Sequence, residues 1–338
     1  MFTGIWQFRT PGEFDWMNEI FGEFISEYVW DCKREVAPDN SILFDSYICD
    51  SDPAYFRRFR GKNAFLVHVY DETFDGLYEE TYSNFRGVFR FFWSDVFNPE
   101  RVFKLPLGYC KGFASDGGPL KPASERRYLW SFVGDAAKSS RAGMVRALAA
   151  VQPNLLISTQ PIDYADVQPT GLPPVQCADV LRESAFAPSP MGNVQIECFR
   201  AYEALESGAI PIVEKRLTLD YYRELLGDHP LPTVSSWAQA RELVTSLHSS
   251  PAKLDALQRR CIDWWAEYKQ SLKRDVGDKL LRTEPIHDSR ILSPIAQLPG
   301  WRMLALLRHH DSQAILWRMR RQWKRSVSER QWRSARVT

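Results

Sequence analysis

Between Phe14 and Tyr28 the large apolar residues fall at Phe14, Met17, Phe21, Phe24 and Tyr28, intervals of three and four that predict an amphipathic helix. Beyond it the pattern changes. The runs SILFDSYI, NAFLVHV, GVFRFFW and RVFKLPLGY are short, rich in aromatic and branched residues, and separated by polar segments, which predicts successive strands of one sheet. A polar connector, GGPLKPASERR, then interrupts the series. After it strands alternate with helices: YLWSFV, a helix from Ser139 to Val151, NLLIST, a helix over ADVLRES, AFAPS, a helix over ECFRAYEALESG, and AIPIV, with further helices behind. Alternation of this kind specifies a parallel sheet with right-handed crossovers.

The connector is read as a boundary. Residues 1–125 and 126–285 are expected to form two α/β lobes, and residues 286–338 a C-terminal helical extension. The length of 338 residues supports this, since single cores stop growing at about 250–300 residues. No GxGxxG or GxxxxGK[ST] loop occurs, which weakens dehydrogenase and P-loop readings.

Open parallel sheets bind ligands beyond the carboxyl ends of their strands, which directs attention to SFVGDAAKSSR and APSPMGNVQIECFR. Each loop precedes a helix whose free N–H groups suit a diphosphate. Gly134 in the first loop, and Gly192 with Asn193 in the second, would let backbone and phosphate approach. A helix starting near Val194 places Cys198, Phe199, Tyr202 and Leu205 on one side and Glu197, Arg200 and Glu203 on the other. A guanidinium there can fork onto diphosphate oxygens, and a carboxylate can accept from ribose hydroxyls. Arg141 is the matching basic residue of the earlier helix. The same three-residue set would also suit a plain solvated helix face.

The segment SAFAPSPMGNVQIECFRAYEALESGAIPIV resembles the donor-binding signature of exostosin-type glycosyltransferases, in which a strand and a Pro-containing loop precede FRxYEALxxGxIPV. Phe199, Arg200, Tyr202, Glu203, Ala204, Leu205, Gly208, Ile210 and Pro211 stand in the matching places. Upstream, FLVHVYDE and LPLGYCKGF resemble the first-lobe segments of bacterial and ribitol-xylosyltransferase-like members, so the likeness spans roughly residues 40–250. It implies a GT-B fold, with two Rossmann-like lobes whose parallel sheets face a cleft, and a nucleotide-sugar donor held by the second lobe. Met191 departs from the pattern, standing where many relatives carry a basic residue.

Displacement at an anomeric carbon with inversion needs a general base from the first lobe, for which Asp71, Glu72 and His68 at the end of NAFLVHV are the candidates, Asp71 narrowly preferred. Asp71 as a turn cap and His68 as a strand histidine are the structural alternatives. Asp50, Ser51 and Asp52 spell a DxD, but ahead of Pro53 they suit a helix N-cap better than a metal site, and neither a metal nor a cofactor is expected.

Charge alters this picture in one place. The net charge is +1, yet from Trp301 to Thr338 ten Lys or Arg face two acids, a local excess of +8. Ile315, Met319, Trp323 and Val327 recur at four-residue spacing, as in a basic amphipathic helix suited to an anionic membrane surface, with packing against the body as the alternative and no nucleic-acid partner expected. Six scattered cysteines without CxxC, no signal-like N-terminus and no long apolar run suggest a cytoplasmic protein, peripheral on the inner face of a membrane. The expected activity is metal-independent, inverting transfer of a sugar to a glycan or lipid-linked glycan in surface polysaccharide synthesis. The alternative is a degenerate GT-B protein that binds glycans or nucleotides without turnover.

Overall fold

The computed structural model describes residues 1–7, 12–30, 37–45, 53–69, 71–72, 78–114, 118–159, 172–192, 195–216, 219–282 and 290–301. Asn193, the Asp50–Asp52 motif and the basic segment from Arg302 to Thr338 lie outside the described residues.

The first lobe is built from β1 (Phe2–Trp6), α1 (Phe14–Phe21), β2 (Ile25–Trp30), β3 (Ser41–Asp45), α2 (Pro53–Arg57), β4 (Ala64–His68), α3 (Glu79–Tyr82), β5 (Gly87–Arg90) and β6 (Val102–Lys104). Its strands form one parallel sheet in the order β2-β1-β3-β4-β5-β6. Side chains alternate across it. Ile42, Phe44, Phe65 and Val67 enter one apolar cluster, while Leu43, Leu66 and Val88 enter a second on the opposite face. Burial on both faces explains why these strands read as continuous apolar runs.

The second lobe follows with β7 (Tyr128–Gly134), α4 (Arg141–Leu148), β8 (Asn154–Ser158), α5 (Pro174–Arg182), β9 (Ser184–Ser189), α6 (Phe199–Glu206), β10 (Ile210–Glu214), α7 (Tyr221–Leu226), β11 (Thr233–Val234), α8 (Trp237–His248) and α9 (Pro251–Leu281). Its sheet is also parallel, in the order β11-β10-β9-β7-β8. Strand order reverses between β7 and β9, which opens a crevice beyond the ends of those two strands. The architecture is α/β with two Rossmann-like sheets, as in a GT-B fold.

The expected first helix is half right. α1 ends at Phe21, one turn of 3-10 helix covers Gly22–Phe24, and Ile25–Trp30 is a strand paired with β1. Tyr28 keeps its place in the helical period because it folds back onto α1, its hydroxyl donating to Asn18 Oδ1 at 2.9 Å and its ring 5.4 Å from that of Phe14. Sheet pairing decided the backbone, and the apolar spacing alone did not reveal it.

After the second lobe the described residues return to the first. Along α9, Trp265 stacks on Trp16 of α1 at 5.6 Å, and a Cβ on Gly277 would lie 2.8 Å from the ring of Phe24. Residues 290–301, grouped with the tail by sequence, add Ile291, Ala296 and Trp301 to the outer cluster of the first sheet. Between the lobes Lys269 of α9 contacts Glu19 at 3.2 Å and Glu206 at 2.9 Å. No described helix is long and apolar enough to cross a membrane.

Candidate functional site

The crevice between β7 and β9 gathers two arginines. α6 begins at Phe199 behind an extended Cys198, so Arg200 stands in its first turn. Arg200 Nε donates to the carbonyl of Val133 at 3.1 Å, and the guanidinium lies 4.8 Å from the centre of the Phe132 ring. Gly134 makes this approach possible: its φ is +144°, and a Cβ there would fall 2.1 Å from Arg200 Nη2.

Arg141 is the first residue of α4 and is 5% exposed. Its Nη1 donates to the carbonyl of Asp135 at 3.1 Å, and its Nε to that of Met191 at 3.4 Å. Burial pulls its pKa down, the like charge of Arg200 adds to this, and Cys198, Asp135 and Glu72 oppose it. Two guanidiniums within electrostatic reach of each other at partly desolvated strand ends favour an anionic ligand.

The loop after β9 is shaped from below by Glu214, at the carboxyl end of β10. One of its oxygens accepts from the Ser140 hydroxyl at 2.7 Å and from the Met191 N–H at 2.9 Å, tying that loop to the start of α4. Met191 thus contributes through its backbone while its side chain is buried. The carbonyl of Met191 brings Arg141 to the loop where a basic side chain was expected.

Across the cleft, Glu72 Oε1 reaches the second lobe. It lies 2.8 Å from where a Cβ on Gly192 would stand, and the Gln195 N–H points to it at 3.5 Å. Its charge is felt by Arg141. Asp71 turns the other way, its Oδ2 2.5 Å from Arg90 Nη2 with only 4% of its side chain exposed.

His68 does not face the cleft. Strand β4 is buried on both faces, and the ring sits in the core with Nδ1 2.6 Å from the Tyr82 hydroxyl and 2.7 Å from Arg90 Nη1. Burial, then the Arg90 charge, push its pKa well down, so the ring is neutral.

Glu197 also departs from expectation. It precedes α6 instead of lying on its polar face, is 1% exposed, and accepts from the Leu107 N–H at 2.9 Å, the Tyr202 hydroxyl at 2.6 Å and the Tyr221 hydroxyl at 2.9 Å. Burial raises its pKa to about 7 against these donors. With three protein donors already in place it joins the lobes at Leu107 and has little capacity left for a ribose. Glu203 stays one turn along from Arg200, half-buried, with the thiol and backbone N–H of Cys110 as partners; burial raises its pKa and Arg200 opposes.

The structure therefore brings Gly134, Arg141, Gly192, Arg200 and Glu72 to one cleft and sets Glu203 at its edge, while His68 and Glu197 are in the interior. Sequence reasoning missed Glu214 and Arg90. Both carried a signal, Glu214 as a carboxylate closing a predicted strand and Arg90 as the lone charge inside GVFRFFW.

Residues 116–283 match the RXYLT1 C-terminal domain. The human ribitol-5-phosphate xylosyltransferase 1 is 27% identical over 198 residues, covering 52% of this chain and 43% of that protein. The mouse ribitol-5-phosphate xylosyltransferase 1 is 27% identical over 163 residues, 44% of this chain and 36% of its own. The chain thus spans less than half the length of these curated relatives. The matched residues include the β7–β9 crevice with both arginines, so the part of the chain that is similar to this domain is the lobe that carries the candidate site.

Proposed function

We propose that this protein transfers a sugar, a pentose such as xylose, from a nucleotide-sugar donor to a hydroxyl of a glycan or polyol-phosphate acceptor. The paired guanidiniums of Arg141 and Arg200 at the switch point carry this reading: they would grip the donor diphosphate. Gly134 and Gly192 would let it close on the backbone, and Glu203, one helical turn from Arg200, would meet the ribose. Asn193 belongs to the same loop.

In this reading the acceptor oxygen attacks the anomeric carbon while Glu72 takes its proton. The bond from that carbon to the phosphate oxygen breaks, and the diphosphate leaves with the electron pair, its growing charge met by Arg141 and Arg200. One displacement inverts the anomeric centre. Two fixed cations supply the neutralisation that a divalent metal provides elsewhere, so the reaction would proceed without one. Glu72 is favoured over Asp71 because Asp71 is committed to Arg90, whereas Glu72 reaches Gly192 and its charge acts on Arg141.

We also place the exostosin-like relationship, surface polysaccharide synthesis and membrane contact through 301–338 within this proposal. Retention of the full chain by anionic vesicles, lost on deleting residues 302–338, would support that contact, and equal retention of both would remove it. For the donor site, thermal shift against nucleoside diphosphates, with and without chelator, is the direct test. A chelator-resistant rise with one diphosphate, absent in Arg200→Ala, is expected. No rise with any diphosphate would reject the donor site.

A further inference from the structure

Away from the cleft, one face of α9 carries Trp264, Glu267, Tyr268 and Arg274 at three- and four-residue multiples, with Gln270 alongside. With Leu226 of α7 they line an open groove of about 690 Å³. Its aromatic wall is rigid. Trp264 Nε1 donates to the carbonyl of Asp228 at 3.0 Å, and its ring stacks on Tyr268 at 5.2 Å and 24°. Tyr268 in turn stacks on Trp265 at 5.8 Å and 12°, and Trp265 on Trp16 in the interior at 5.6 Å. The groove wall is the outer end of an aromatic stack anchored between the lobes.

The chemistry of this lining selects among ligands. Aromatic rings held still offer flat apolar surface at little entropic cost. Glu267, Gln270 and Arg274 rise from the exposed side of the helix as planar polar groups able to bridge neighbouring hydroxyls. The lining carries Glu267 and Asp228 against Arg274, and Asp228 is paired with Arg223 beside it, so the charges balance and the groove favours neither a polyanion nor a polycation. A pyranose or furanose chain, with apolar C–H faces and a rim of hydroxyls, matches both parts.

We propose that the α7–α9 groove is a neutral-oligosaccharide subsite, engaging the acceptor chain at a distance from the reacting hydroxyl. It deepens the transferase reading while standing on different residues. The test presents the full-length protein, fluorescently labelled, to an array of immobilised neutral and anionic oligosaccharides, and repeats it with Trp264→Ala, with Glu267→Ala/Gln270→Ala and with Arg200→Ala. Neutral glycans should be retained, and both groove variants should weaken retention by about tenfold or more while Arg200→Ala leaves it unchanged. The Glu267→Ala/Gln270→Ala protein alters only exposed side chains and keeps the test valid if Trp264→Ala misfolds. Absence of retained neutral glycans, retention of anionic glycans alone, or equal retention by the folded groove variants would overturn the proposal. A nucleoside-diphosphate thermal shift on the same proteins reads the donor site separately: its loss in Arg200→Ala alone leaves the groove untouched, so failure of either idea is visible by itself.

Discussion

Arg90 Nη2 lies 2.5 Å from Asp71 Oδ2, an ion pair between a fully buried strand residue and a residue held at φ +74° in the turn just beyond β4. Left-handed backbone is costly for a residue with a Cβ and persists only where its surroundings enforce it. Arg90 provides that enforcement while its other nitrogen donates to Tyr82 at 2.6 Å and approaches His68 Nδ1. The pair fixes the turn from which Glu72 extends towards Gly192.

Removing one partner should therefore cost more than removing a surface pair. Arg90→Met is expected to destabilise the protein by about 3–5 kcal/mol in denaturant titrations, because Asp71 would be left charged and buried. Asp71→Asn should cost less and should lower turnover more than donor affinity, since it disturbs the turn carrying Glu72 and spares both cleft arginines. Unchanged stability in Arg90→Met would contradict the buried pairing.

Gly134→Ala should behave like a partial Arg200 deletion. The new methyl group would occupy space 2.1 Å from Arg200 Nη2 at a positive φ. Loss of a charge-assisted hydrogen bond is worth about 1.5–3 kcal/mol, so nucleoside-diphosphate affinity should fall roughly tenfold to hundredfold by calorimetry. Comparable loss in Arg200→Ala, with no further loss in the double variant, would show that both act through one guanidinium.

The Glu197 carboxyl gives the fold a pH dependence of definite sign. Its pKa rises from 4.5 to about 7 on burial, so between these values the folded state holds a proton that the unfolded chain has released. Its stabilising contribution is full below about pH 4.5 and is lost as pH rises through about 7. Glu197→Gln should flatten the fall in melting temperature across that window and leave the variant more stable than the parent at pH 8. An identical slope in both proteins would rule out Glu197 as the group responsible.

Lys269 joins three elements and both lobes. Its contacts with Glu19 and Glu206 are mostly shielded, and Glu206 also accepts from Trp265 Nε1 at 2.8 Å. Lys269→Met should destabilise the chain by about 2–4 kcal/mol, because Glu206 is left 4% exposed without its cation. Hydrogen exchange should speed up in α1 and α9 ahead of the two sheets. Uniform acceleration everywhere would argue against a local inter-lobe strut.

Much of the architecture was legible in the chain itself. Apolar runs buried on both faces and the alternation of strand and helix after the connector determine two α/β lobes and the strand–loop–helix unit that carries Arg200, because these features depend on local period and composition. Tertiary structure decided the rest. Whether Ile25–Trp30 became strand depended on its pairing with β1, a contact between separate segments. Glu197 and Glu203 look alike in sequence, yet one is closed in by Leu107, Tyr202 and Tyr221 and the other stands near Arg200. Asp71 and Glu72 are adjacent in the chain, and only the buried position of Arg90 assigns the first to the core and leaves the second to reach across the cleft. Charge and burial act through space, so the role of each carboxylate was set by neighbours far away in sequence.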